Sequence, residues 1–279
     1  MILDSAEQVA EYTGAGIWGD KTLMDLVRET AARTPDAEAL VDPPNRAELL
    51  PGEPRRLTYR ELTAQVDNLA AALLGAGLRK DDVLMVQLPN TVEIVEVLLA
   101  CARLGVICSP VPVQFRTHEL RYIIPLVEPK AFVTCVDFQG HAHLEMIRGL
   151  RTDFPDITTI IATAGDLPDD VVALDSLLLE PQDTAALVAE LERNPVSAND
   201  IFTVCWTSGT EADPKGVPRS HNHWMVPAWA PIDAARLPQA CVVLCPFPMV
   251  NLSGIGAMMT VWILTGGKLA MHHPFNLPV

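Results

Sequence analysis

The chain of 279 residues is 49% hydrophobic and 20% charged, enough apolar material for a large buried core, which excludes a disordered polymer. Its formal net charge of −15 and pI near 4.8 exclude a broad nucleic-acid or anionic-membrane surface, because like charge opposes approach to phosphate backbones. Cys101, Cys108, Cys135, Cys205, Cys241 and Cys245 form no C-x-x-C pair and fall in apolar runs. Buried thiols in a reducing cytoplasm are expected, not disulfides or zinc. The N-terminus lacks a signal-length apolar core and no run of eighteen apolar residues occurs, so a soluble, cytoplasmic protein without an integral membrane segment is expected.

Residues 1–20 are Gly-rich and read as irregular, and Thr22–Arg33 is the first helix, with Leu23, Leu26 and Val27 on one face. Prolines 43, 44, 51 and 54 mark a loop. Thr58-Tyr59-Arg60-Glu61 is then a capping box, in which the Thr58 hydroxyl satisfies the Glu61 N–H and the Glu61 carboxylate reaches back. Val83–Leu88 reads as a strand, and Asn90 with Glu93 repeats the capping pattern for a helix to Leu104. A strand at Val106–Cys108 follows, a spacing that implies a right-handed parallel βαβ crossover. Thr117–Leu126 and Ala142–Leu150 read as helices, and Ala131–Val136 and Ile157–Thr163 as strands, so an α/β fold with a parallel sheet flanked by helices is predicted. The acidic stretch Asp166–Leu191 reads as a peripheral strand and helix.

The most informative stretch is Trp206–His221. A β-type run, Ile201–Trp206, leads into Thr207, Ser208, Gly209 and Thr210, and Lys215-Gly216 follows Pro214. Hydroxyls and free backbone N–H groups are the donors a polyphosphate needs, glycine lets the backbone come close, and lysine supplies a point charge. The Walker pattern is absent, since Gly209 lies six residues before Lys215 and no Gly-Lys pair occurs here, which disfavours a P-loop NTPase.

This stretch resembles the signature loop of the adenylate-forming superfamily of acyl-CoA and aryl-CoA ligases, adenylation domains and luciferases. Thr207–Thr210 and Pro214–Gly216 match, while Glu211 and Ala212 replace a Thr-Gly pair, a variant similar to that of fatty and cyclic acid–CoA ligases. Leu57–Leu62, Leu88-Pro89-Asn90, Leu104-Gly105-Val106 and Pro110–Leu120 are similar to the N-terminal region of acyl-CoA ligases in order and spacing. Pro248-Met249-Val250-Asn251-Leu252-Ser253-Gly254 resembles an element that lies beside the acyl substrate in that superfamily.

The resemblance implies ATP-dependent activation of a fatty, cyclic or aromatic carboxylic acid to acyl-AMP and then acyl-CoA, with ATP, Mg²⁺ and coenzyme A as co-substrates. It assigns Thr207, Ser208, Gly209, Thr210, Glu211, Lys215 and Gly216 to the nucleotide phosphates, with Glu211 pairing Arg219 or Lys215. His221, Asn251, Ser253 and Gly254 are the expected substrate contacts, although His221 fits a helix start and Asn251 a helix cap equally well. No metal site is expected: His141 with His143, and His272 with His273, read as surface or capping residues, and the tryptophans as core. The superfamily's Tyr-Gly-x-Thr-Glu element and C-terminal catalytic lysine are not found, so no catalytic residue is assigned, and an N-terminal portion of a ligase, not fully active alone, is expected. Its expected divisions are a peripheral segment 1–56, an α/β subdomain 57–200, and a phosphate loop with the start of an acyl-site subdomain 201–279. An acyl- or aryl-AMP ligase feeding a carrier protein, or a non-catalytic nucleotide-binding module, are the alternatives. Expected partners are small molecules, not nucleic acid, and the resemblance leaves room for a homodimer.

Overall fold

The computed structural model describes residues 1–163, 165–207 and 213–273. Helices α1 (Ala6–Gly14) and α2 (Leu23–Arg33) precede strands β1 (Glu38–Val41) and β2 (Arg56–Thr58). Then follow α3 (Tyr59–Gly75), β3 (Val83–Gln87), α4 (Val92–Leu104), β4 (Ile107–Pro110), α5 (Thr117–Val127), β5 (Ala131–Thr134), α6 (His143–Asp153) and β6 (Thr159–Ala162). After β7 (Val172–Ala173), α7 (Leu174–Leu179) and α8 (Thr184–Arg193), the hairpin β8 (Ile201–Trp206) and β9 (Gly216–Ser220) leads into α9 (His221–Ala234). The last elements are β10 (Val242–Cys245), a π-helix (Leu252–Met259), α10 (Thr260–Thr265) and β11 (Lys268–Met271).

The larger sheet has the order β7-β6-β5-β3-β4-β8-β9, parallel throughout except for the edge strand β9. Strand side chains alternate between its faces: Leu84 and Val86 join the core under α3 and α4, while Met85 and Phe132 join a second core under α5 and α6. Both faces are therefore covered, as a parallel sheet requires. Cys101, Cys108, Cys135, Cys205 and Cys245 are buried thiols. No helix among the described residues is long and apolar enough to cross a membrane.

The smaller sheet, β10-β11-β1-β2, redraws the expected divisions. β1 pairs in parallel with β11, far along the chain, so the segment expected to be peripheral is half of a sheet. β8 and β9 belong to the larger sheet instead of opening a new unit. Residues 1–20, expected to be irregular, contain α1, started by a capping box of Ser5 with Gln8.

The expected Asn90–Glu93 cap also does not form, because both residues are used elsewhere. Thr91 occupies the N-cap of α4. Asn90 joins the two sheets: its Nδ2 donates to the carbonyls of Phe247 (2.6 Å) and His272 (3.3 Å), and its Oδ1 accepts from the Met249 N–H (3.0 Å). Glu93 is buried against Arg46, whose Nη2 lies 2.6 Å from its Oε1. Arg46 also donates to Asp42 (2.7 Å), and Arg55 reaches both Glu93 (3.1 Å) and Glu96 (3.0 Å).

Three carboxylates share two guanidiniums in this buried cluster, so one negative charge is left over. Burial, opposed by Arg55, pushes the Glu96 carboxyl up to about 7 from its ordinary 4.5. A carboxyl whose pKa is raised by folding stabilises fully below its unfolded value and loses that contribution as pH rises through the folded one. Wild-type stability relative to Glu96→Gln should therefore fall by on the order of 2 to 3 kcal/mol between pH 4.5 and 7.5, read by urea unfolding, and a flat difference would contradict the cluster. Asn90→Ala should cost about 2 to 4 kcal/mol in the same assay, because it strands buried carbonyls and an N–H on the second sheet.

Candidate functional site

The candidate site grows from the carboxyl end of β8, the end of a parallel α/β sheet where ligands bind in open folds of this type. Trp206 pairs with Gly216 across the β8–β9 hairpin. The indole Nε1 of Trp206 donates to Ser109 Oγ on β4 (2.9 Å), which holds the exit of β8 against the sheet. A Cβ at position 216 would stand 2.9 Å from Val204 and 3.2 Å from the Trp206 ring, so the residue opposite Trp206 has to be glycine.

One step further, Thr207 closes the loop at its base. Its N–H donates to the Lys215 carbonyl (3.1 Å), and its hydroxyl accepts from the Lys215 N–H (3.0 Å). The N–H and carbonyl of Lys215 are thereby spent on the N–H and hydroxyl of Thr207, while the Lys215 side chain is exposed and makes no ion pair among the described residues. Ser208, Gly209, Thr210, Glu211 and Ala212, the predicted heart of the loop, lie outside the described residues. Arg219, a predicted partner of Glu211, stacks over the Trp224 ring, 5.2 Å from its centroid.

The hairpin runs straight into α9. Ser220 is the N-cap: its hydroxyl accepts from the His223 N–H (3.2 Å), and His223 Nδ1 accepts in return from the Ser220 N–H (3.2 Å). His221 therefore takes the helix-start role and not the expected substrate contact. Its ring is 1% exposed, stacks on Phe202 at 5.1 Å and accepts the Leu23 N–H at 3.3 Å. Burial pushes its pKa down to about 4, which keeps it a neutral acceptor at the start of α2.

Asn251 likewise caps a helix. Its Oδ1 accepts from the N–H groups of Ser253 (3.0 Å) and Gly254 (3.2 Å), so the side-chain oxygen is committed to the start of the π-helix. Gly254 lies so close to the preceding chain that a Cβ would sit 2.1 Å from the Pro248 carbonyl oxygen, a packing role for a residue expected at the substrate. Ser253 is exposed. Helix α9 packs on both the hairpin and the π-helix. It brings Arg219, His223 and Leu252 to one cavity of about 640 Å³, together with Asp4, Tyr12 and Trp18 from the N-terminal segment. The N-terminal contribution was not legible in the sequence, where residues 1–20 read as irregular.

Several known proteins share this architecture. The chain is 31% identical to 2-hydroxy-7-methoxy-5-methyl-1-naphthoate–CoA ligase of Streptomyces carzinostaticus over 76% of its length and 37% of that protein. It is 29% identical to a Streptomyces salicylyl-CoA synthase / salicylate adenylyltransferase over 95% of its length and 46% of the relative. The apo structure of MbtA from Mycobacterium smegmatis superposes with a TM-score of 0.80 at 23% identity, over 96% of this chain and 47% of MbtA, a likeness of fold. The chain thus spans less than half the length of these proteins. Residues 27–279 match the AMP-binding enzyme family, from α2 through both sheets and the hairpin, and the chain belongs to that family.

Proposed function

We propose that this chain supplies the ATP-phosphate half of an enzyme that activates a carboxylic acid, fatty, cyclic or aromatic, in the cytoplasm. The observation that carries the reading is the closed base of the loop, with an exposed Lys215 beside it that makes no ion pair among the described residues. A carboxylate oxygen of the acid attacks the α-phosphorus of ATP, the bond to pyrophosphate breaks, and acyl-AMP forms. The thiol of coenzyme A then displaces AMP to give the thioester. Two anions must meet in the first step, so catalysis calls for fixed donors and positive charge at the transferring group, not for a protein nucleophile.

In this reading Lys215 meets the departing pyrophosphate, and the Thr207 hydroxyl proton with the hydroxyls and N–H groups of residues 208–210 receives its oxygens. Mg²⁺ would arrive with the nucleotide and share its charge. The relatives' names support the acid class, since two of them act on a naphthoate and a salicylate. In the full-length enzyme that this reading implies, acyl-AMP should appear by mass spectrometry on adding ATP and a panel of acids, and acyl-CoA on adding coenzyme A. Acyl-AMP without acyl-CoA would point to a carrier protein as acceptor, and the absence of both from every acid would remove the reading. Lys215→Ala should weaken pyrophosphate binding to the chain roughly ten- to a hundredfold, the loss of one charge-assisted contact, with the melting temperature unchanged. Unchanged affinity, or a melting temperature that falls with it, would make Lys215 a structural residue.

A further inference from the structure

Asp42, Glu93 and Glu96 set three carboxyl groups against the two guanidiniums of Arg46 and Arg55. All but Arg55 are buried, and Arg55, 21% exposed, is the opening of the cluster to solvent. The undescribed residues include no lysine, arginine or histidine, so they supply no further cation. The groups that face the cluster from α3 are accounted for as well. Gln65 accepts from Arg55 and is neutral, Glu61 is spent on the Thr58 cap, and Asp67 is paired with Arg28 and Arg103.

Each guanidinium divides one nitrogen between two carboxyl groups. Arg55 Nη1 lies 3.1 Å from Glu93 and 3.0 Å from Glu96, and Arg46 Nη1 lies 2.7 Å from Asp42 and 3.0 Å from Glu93. Two contacts then leave the cluster and end at one junction. Asp42 Oδ1 accepts the Val92 N–H (2.9 Å) at the start of α4, two residues after Asn90. Asn45, next to Arg46, donates to the His273 carbonyl (2.9 Å), while the His273 ring accepts the Asn90 N–H (3.3 Å). Asn90 holds the Phe247 carbonyl and the Met249 N–H, directly before the Asn251 cap. A contiguous set of polar contacts therefore joins the cluster to segment 247–249.

We propose that the cluster is a proton-operated coupling: loss of its one retained proton to water re-pairs Arg55 and Arg46, shifts the loop between β1 and β2, and moves segment 247–249 through Asn45 and Asn90. With the proton on Glu96, Arg55 is free to serve Glu93 as well. Once Glu96 is ionised, the guanidinium closes on both of its oxygens, the fork geometry that a carboxylate favours. Glu93 is then left to Arg46 alone, and Arg46 gives up part of its hold on Asp42, because an unpaired buried charge is the costlier alternative. Asp42 and Asn45 carry that displacement to α4 and to His273.

Nitrogen-15 NMR of the 279-residue chain, labelled at methionine and arginine and titrated from about pH 5.5 to about 8.5, reads both ends of the coupling. The Met249 amide, assigned by its loss in Met249→Leu, and Arg55 Nε should shift together in a single-proton step centred at about 7, where burial places the Glu96 carboxyl. Glu96→Gln, which keeps the shape of the protonated carboxyl, should remove the step at both positions. Asn45→Ala should shrink the Met249 step about twofold or more and leave the Arg55 step at full size. A Met249 step that survives Glu96→Gln would belong to a histidine such as His272 or His273 and would overturn the proposal. A Met249 signal that stays flat with pH, or a Met249 step undiminished in Asn45→Ala, would overturn it equally. Neither ATP nor an acid is present, so the outcome stands apart from that of the activation reading.

Discussion

Thr207 spends its backbone N–H and its hydroxyl on Lys215, so the chain leaves the larger sheet and returns to it at a single point. That closure works only because the strands beneath it are in register, and Trp206 opposite Gly216 sets the register. The indole needs a neighbour without a Cβ, and its N–H needs Ser109 on β4, so sequence-distant residues decide where the loop stands. The loop's outgoing strand then delivers Ser220 as the cap of α9, which fixes the helix relative to the hairpin within one residue. Lys215, just before β9, is left exposed, and Arg219 on β9 is half-buried over the Trp224 ring.

Two polar devices hold the platform under this hairpin. Asn90, at the carboxyl end of β3, uses its amide oxygen and nitrogen on the segment that carries β10 and β11, which ties the two sheets together there. The cluster of Asp42, Arg46, Arg55, Glu93 and Glu96 pins the loop between β1 and β2 to α4. Breaking such a cluster by removing one partner is far more costly than the net worth of the cluster itself, since an unpaired charge is left in the core. The leftover negative charge is accommodated on the fully buried Glu96 as a retained proton, which makes the cluster sensitive to pH near neutrality.

Periodicity and caps were enough to read the parallel βαβ units, because β3, β4, β5 and β6 and the helices between them are local and strongly patterned. The strand entering the loop was legible in the same way, as the β-type run Ile201–Trp206 ending in hydroxyls. What could not be read depends on remote partners. β1 and β2 flank a proline-rich stretch and lack between them the strand–helix alternation that marks the parallel units, and β1 pairs with β11 from far along the chain. Glu93 looks like a capping residue until Arg46 and Arg55, brought from another loop, claim it. For His221 and Asn251 the sequence allowed either a ligand contact or a structural role. Phe202 and Leu23 bury the first ring, and the N–H groups of Ser253 and Gly254 take the side-chain oxygen of the second as a cap. The cavity under α1 was hidden for the same reason, since its walls are separated by most of the chain.

Family membership, the closed loop base and the exposed Lys215 converge on one claim, that nucleotide phosphates are bound by the segment joining β8 to β9. Amide hydrogen exchange with and without ATP and Mg²⁺ examines that segment directly. The account predicts slowed exchange of the backbone amides across residues 207–216 on adding nucleotide, with β3, β5 and β6 unchanged. Protection confined to other parts of the chain, or none within 207–216, would contradict it.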